Sequence, residues 1–137
     1  MKFNKLDKKI SLVVTTISKP NKCLRSLARG CIKNNWNFIV IGDASSPNNF
    51  NLKGSKFFSI KDQLKLNLEY PKNCHLRSYA RKNIGYLISI MEGAEIIVET
   101  DDDNFPTKSF WNHRQRELNT SIISDAGWIN VYKHFSV

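Results

Sequence analysis

The sequence predicts an α/β domain whose mostly parallel sheet is flanked by helices, and three observations carry that reading. Short β-branched runs that suit buried strands alternate with segments of helical period. Three of the runs end in polar residues, at Thr15-Thr16, at Asp43 and at Asp101-Asp102-Asp103. No repeat, low-complexity tract or flexible linker divides the 137 residues, about one domain's worth of chain.

The elements follow in order. Residues 10–16, Ile-Ser-Leu-Val-Val-Thr-Thr, form the first strand. Pro20 opens a helix with Leu24, Leu27, Ala28 and Cys31 at helical spacing and Gly30 near its end. Trp36 to Ile41 is a second buried strand stopped by Gly42-Asp43, and the Ser, Pro, Asn and Gly of 44–55 make a loop. A short strand at 57–60 precedes a short helix at 61–68. Ala80, Ile84, Leu87, Ile88 and Met91 then fall at i, i+4, i+7, i+8 and i+11, the apolar stripe of a longer helix that ends at Gly93. Residues 94–99 form the strand that leads into the three aspartates. Residues 107–120 read as a polar helix, and Ile122-Ile123 and 128–131 as short strands or turns.

Composition narrows the function. With 41% hydrophobic and 24% charged residues the chain is globular rather than disordered. Its longest apolar clusters, Leu12-Val13-Val14 and Phe38-Ile39-Val40-Ile41, are strand-sized and far short of the roughly 20 residues of a bilayer helix, so no transmembrane segment is expected. The Lys-rich start runs straight into a β-branched segment with no signal-peptide core. Cys23, Cys31 and Cys74 lack C-x-x-C spacing and are expected as reduced thiols, the first two in core packing, which gives a cytoplasmic expectation. The excess of 21 basic over 12 acidic residues, a net +9, suits nucleic acid, anionic lipid or phosphorylated small molecules.

Ligands of open α/β sheets bind at the carboxyl ends of the strands, where the polar strand ends gather. Three adjacent carboxylates repel one another unless a cation or solvent compensates. In extended backbone, side chains alternate, so Asp101 and Asp103 face the same way and suit a hard divalent cation with positions left open for phosphate oxygens. A solvated acidic loop is the bland alternative. A helix–loop–helix calcium site is disfavoured, because Pro106 and Asn112 stand where Gly and a bidentate Glu belong. Arg77 and Arg81, one helical turn apart, together with Lys82 suit a diphosphate neutralised on its other side by the metal, or else form a basic solvated face. Asn83 and Gly85 have poor helix propensity and read as functional.

The stretch Ser78-Tyr79-Ala80-Arg81-Lys82-Asn83-Ile84-Gly85-Tyr86, running on to Ile96-Ile97-Val98-Glu99-Thr100-Asp101-Asp102-Asp103, resembles the core of nucleotide-sugar glycosyltransferases of the Rossmann-like GT-A fold. There an Arg-Asn-x-Gly-like helix precedes a strand ending in Asp-x-Asp. With Val13-Val14-Thr15-Thr16, Gly42-Asp43, Asn51-Leu52-Lys53-Gly54, Asn104 and the tail 130–135, the chain resembles the STELLO-type group, distant relatives of the reversibly glycosylated polypeptides. The resemblance implies one domain over 1–137, the N-terminal nucleotide-binding part of a larger domain truncated on its acceptor side. It implies a nucleoside-diphosphate sugar as donor, with a UDP-sugar favoured, and a glycan or other hydroxyl compound as acceptor. Thr15 and Thr16 would then lie beside the base, and Asp43 on the base or ribose. Arg81 and Asn83 would lie near the diphosphate or steady the acidic loop. Asp101 and Asp103 would reach Mn2+ or Mg2+. Related proteins tend to carry Asp where Glu99 stands, so Glu99 with Asp101 is the alternative metal pair.

Two other classes compete. A basic nucleic-acid-binding module would use the +9 charge with Trp36 and Trp111, but the basic residues do not cluster with the aromatics, and no nucleic acid is expected. A metal-dependent phosphatase or nuclease would leave the Arg-Lys-Asn-x-Gly helix without a role.

Overall fold

Alternation along two strands sets the architecture. In β1 (Ile10–Thr16) and β2 (Asn37–Gly42), Leu12, Val14, Phe38 and Val40 point to one face and Val13, Ile39 and Ile41 to the other, all buried. Both faces therefore need a cover. On the first lies α1 (Lys22–Asn34), through Cys23, Leu24, Leu27, Ala28 and Cys31. On the second lies α4 (Lys82–Met91), through Ile84 and Ile88. The computed structural model describes residues 9–114, 117, 119–122, 124 and 127–135. Its remaining elements are β3 (Lys56–Phe58), α2 (Ile60–Leu64), α3 (Glu69–Asn73), β4 (Ile96–Glu99) and α5 (Tyr132–Phe135), with 3₁₀ turns at Tyr79–Arg81 and Lys108–Trp111.

The four strands run parallel in the order β3-β2-β1-β4. The chain winds outward from β1 through β2 to β3, then returns to place β4 on the far side of β1. The switch in winding therefore falls between β1 and β4, where open α/β sheets leave a crevice at the carboxyl ends. The α/β fold with a parallel sheet and helices on both faces is the one the sequence predicts.

Local differences have physical reasons. α1 starts at Lys22 because Asn21, not Pro20, caps it: the Asn21 side chain accepts the Leu24 N–H at 2.8 Å. The helix runs past Gly30 to a left-handed Asn35. At Gly30 the indole of Trp111 lies so close that any Cβ would overlap it. The stripe on α4 is rotated from the expected one. Met91 is exposed and Ala80 lies outside the helix, whereas Lys82, Gly85 and Ser89 join Ile84 and Ile88 on the buried face. Gly85 is the cause, since its bare Cα lets α4 settle onto Val13 and Ile41.

Of the helix expected at 107–120, the described residues form one 3₁₀ turn, ended by extended Asn112. Residues 128–130 pair with no described strand, Ile123 lies outside the described residues, and α3 and α5 were not foreseen. Among the described residues no helix is long and apolar enough to cross a membrane. Cys23 and Cys31 are buried free thiols in the core, as expected.

Gly85→Ala sets a gain of about 1 kcal/mol in helix propensity against overpacking worth roughly 1–3 kcal/mol. A Cβ there would overlap Val13 Cγ1 and stand 3.1 Å from Ile41 Cγ1, both fully buried side chains with little room to yield. Overpacking wins, so the urea midpoint falls; an unchanged or higher midpoint would refute this packing.

Candidate functional site

A cleft of about 420 Å³ opens at the carboxyl ends of β1 and β2. Thr15, Thr16 and Ile17 enter it from the end of β1, and Ile41, Gly42 and Asp43 from the end of β2. Arg77, Ser78, Tyr79 and Arg81 come from the segment that leads into α4, and Asp101 and Asp102 from the turn after β4.

The acidic turn is held from two sides. The Thr16 hydroxyl donates to the Asp102 carboxylate, and the Ser18 N–H donates to Thr16 Oγ1 at 3.0 Å. Asn21, while capping α1, also donates its amide to the Asp102 carbonyl at 2.9 Å. On the other side Asp101 Oδ1 accepts from Tyr79 Oη at 2.9 Å and from Lys82 Nζ at 2.8 Å. Lys82 Nζ also lies 3.4 Å from Glu99 Oε2, which accepts the Tyr86 hydroxyl. The Lys82 side chain is only 7% exposed. Burial works against its charge, but the hydrogen bond to Asp101 and the charges of Asp101 and Glu99 outweigh it and hold the ammonium pKa up. The bonds from Lys82 and Tyr79 hold the Asp101 carboxyl below its usual range, and the bond to Asp101 raises the Tyr79 phenol.

Asp43 and Arg81 are committed to the chain itself. The Asp43 carboxylate accepts the N–H groups of Ala44, Arg77 and Ser78 at 2.6, 2.9 and 3.1 Å. It thereby pins the segment before α4 to the end of β2. Arg81 is 1% exposed; its Nε and Nη2 donate to Gln63 Oε1 at 3.0 and 2.5 Å, and Nη1 to the Cys74 and His75 carbonyls at 3.0 and 3.4 Å. Arg77 adopts φ 54°, an uncommon left-handed conformation for a non-glycine residue.

Of the residues singled out from the sequence, Thr15, Thr16, Asp43, Arg81 and Asp101 all line the cleft, and Asn83 and Asp103 do not. Asn83 is exposed and donates to Tyr70 Oη at 2.9 Å. Asp103 is exposed, because the backbone turns after Thr100 and the Asn104 N–H closes onto the Asp101 carbonyl at 3.4 Å, so strand alternation no longer applies. Asp102 takes the place in the cleft expected of Asp103. The alternative pair does converge: Glu99 and Asp101 meet on the Lys82 ammonium. Among the described residues no group of three or more His, Cys, Asp or Glu is placed to hold an ion. Sequence reasoning assigned no role to Tyr79, although it lies in the stretch that carries the resemblance, and missed Gln63, which had no signal.

The Asp101–Lys82 pair gives stability a defined pH window. Asp101, with its pKa lowered on folding, stabilises fully above its unfolded value of about 3.9 and loses this as pH falls through the folded value. Lys82, with its pKa raised, stabilises fully below about 10.4 and loses this as pH rises through the folded value. The gap in melting temperature between wild type and Asp101→Asn is therefore expected to be widest between those limits and to close on acidification. A gap independent of pH would refute the pair.

No family model matches the chain. Two curated proteins of Arabidopsis thaliana do, each over 91 residues that make up 66% of this chain. One, described as probable glycosyltransferase STELLO2, is 35% identical, and the other, probable glycosyltransferase STELLO1, is 33% identical. The match spans only 12% and 11% of their respective lengths. Over those 91 residues the chain is similar in sequence to proteins described as probable STELLO-type glycosyltransferases.

Proposed function

We propose that the cleft binds a nucleoside-diphosphate sugar, a UDP-sugar in the favoured case, as the donor-binding part of a glycosyltransferase acting on a glycan or other hydroxyl acceptor. One observation carries this reading. Polar residues from the ends of β1 and β2, from the turn after β4 and from the segment before α4 meet in one cleft, at the edge of the sheet where α/β folds take nucleotides. The homology to proteins described as glycosyltransferases supports it from outside the geometry.

A sugar nucleotide presents hydroxyls, an anionic diphosphate and a flat base. Each carboxylate has roughly four lone-pair sites, so Asp101 and Asp102 still accept hydroxyls after their bonds to the chain are made. Thr15 and Ile17 offer partly apolar floor to a base. Breaking the sugar–diphosphate bond builds negative charge on the departing nucleotide, and transfer is favoured by positive charge already placed to meet it.

The experiment is a thermal melt with UDP, GDP and CDP. A ligand at about 100 times its dissociation constant adds roughly 2.7 kcal/mol, a melting shift of several degrees for a chain of this size. One nucleotide is expected to raise the melting temperature, and Thr15→Phe, which fills the floor of the cleft, to abolish the rise. A folded protein that answers to none of the three would refute the reading.

A further inference from the structure

We propose that Arg77 holds the diphosphate and that Lys82 stands in the place of a divalent cation beside Asp101, so that the cleft takes its nucleotide without a metal. This rests on the nucleotide-sugar reading of the cleft and assigns the charge that the reading needs.

The position between Glu99 and Asp101 is filled. Lys82 Nζ sits 3.4 Å from one carboxylate and 2.8 Å from the other, with the Tyr79 ring centroid 5.0 Å away. An incoming divalent ion would have to expel a buried ammonium from both carboxylates, leaving it only the Thr100 carbonyl at 3.4 Å, which is strongly unfavourable. The remaining carboxylates of the turn do not make a second pair: Asp102 lines the cleft on the Thr16 side, and Asp103 lies outside the lining. The acidic turn thus has its counter-charge from the chain itself.

An anionic diphosphate then needs its cation elsewhere in the cleft. Arg81 does not serve, because its guanidinium is spent on Gln63 and two carbonyls. Arg77 lines the same cleft, is exposed, and its guanidinium makes no hydrogen bond or ion pair among the described residues. Its left-handed backbone is unfavourable for an arginine, and persists because the Asp43 carboxylate holds the N–H groups of both Arg77 and Ser78. Asp43 is therefore a positioning residue, and the side chain it positions has the planar donor fork that suits phosphate oxygens.

The test is calorimetric titration of UDP, GDP and CDP in EDTA and again in manganese. The expected result is the same affinity in both buffers, weakened roughly tenfold or more by Arg77→Gln and partly kept by Arg77→Lys. Exposed Arg77 leaves folding intact in both variants. In parallel, the electron paramagnetic resonance signal of free Mn2+ is expected to stay undiminished with the wild type and to fall with Lys82→Gln, which empties the position beside Asp101. Binding that appears only with manganese, or Arg77→Gln with wild-type affinity, overturns this inference and leaves the nucleotide reading standing. Should none of the three nucleotides bind in either buffer, the nucleotide reading falls and this inference with it. If Lys82→Gln does not fold, the buffer comparison and the Arg77 variants still decide.

Discussion

The cleft depends on one buried guanidinium and one buried amide. Gln63, fully buried, donates its amide to the Gly42 and Phe58 carbonyls, each at 2.8 Å, and so ties together the carboxyl ends of β2 and β3. Its oxygen accepts two bonds from Arg81, whose third nitrogen holds the Cys74 and His75 carbonyls. Two side chains therefore fix the sheet edge, α2 and the segment before α4 in one arrangement. A buried charge survives only when its donors are matched, and here the partners are the neutral oxygens of Gln63, Cys74 and His75. Removing either member strands the other, so the network holds as a unit and carries Arg77, Ser78 and Tyr79 to the mouth of the cleft.

The parts of the fold legible in the sequence are those written in short-range pattern. β1 and β2 were visible because both faces are buried, so their apolar runs are nearly continuous rather than alternating. α1 was visible through Leu24, Leu27, Ala28 and Cys31, every one of them buried. The face of α4 was misjudged because apolar period was the only guide. Its true inner face includes Lys82, drawn in by Glu99 and Asp101, and Ser89, whose hydroxyl bonds the Gly85 carbonyl at 2.8 Å. A buried lysine reaching half-exposed carboxylates reverses the usual rule that charge marks the solvent side, and no helical period reveals it.

The site was legible as a place more than as a set of roles. Strand ends gave Thr15, Thr16, Asp43 and Asp101, and all four reach the cleft. The arithmetic of alternation misplaced Asp103, since it holds only while the backbone stays extended, and the turn after Thr100 sends Asp101 toward α4 and Asp102 toward β1. Spacing by one helical turn likewise put Arg77 and Arg81 on one face. In the structure Arg77 lies before the helix in a left-handed conformation while Arg81 faces the interior. Asn21 and Asp102 are bonded across 81 residues of chain, and Gln63 and Arg81 across 18. Such pairings arise from topology, which no local window contains.

The chain carries a net +9, yet its cleft is rich in carboxylates, and the reason both persist is that each acid is matched before any ligand arrives. Asp43 has three backbone N–H donors, Asp101 has Lys82 and Tyr79, and Asp102 has Thr16. Matched in this way, the carboxylates do not have to lose water unpaired when a ligand covers them, which is the main cost of closing a charged site. Their donors come from the end of β1, from Ala44 just after β2 and from the segment that runs into α4, so the acids tie these parts of the sheet edge together. On the proposed reading, the Asp101–Asp102 turn would offer acceptors to sugar hydroxyls and the exposed Arg77 guanidinium would meet the diphosphate. On the same reading, the overall positive charge would act at longer range, drawing an anionic ligand to a cleft whose local order the carboxylates maintain.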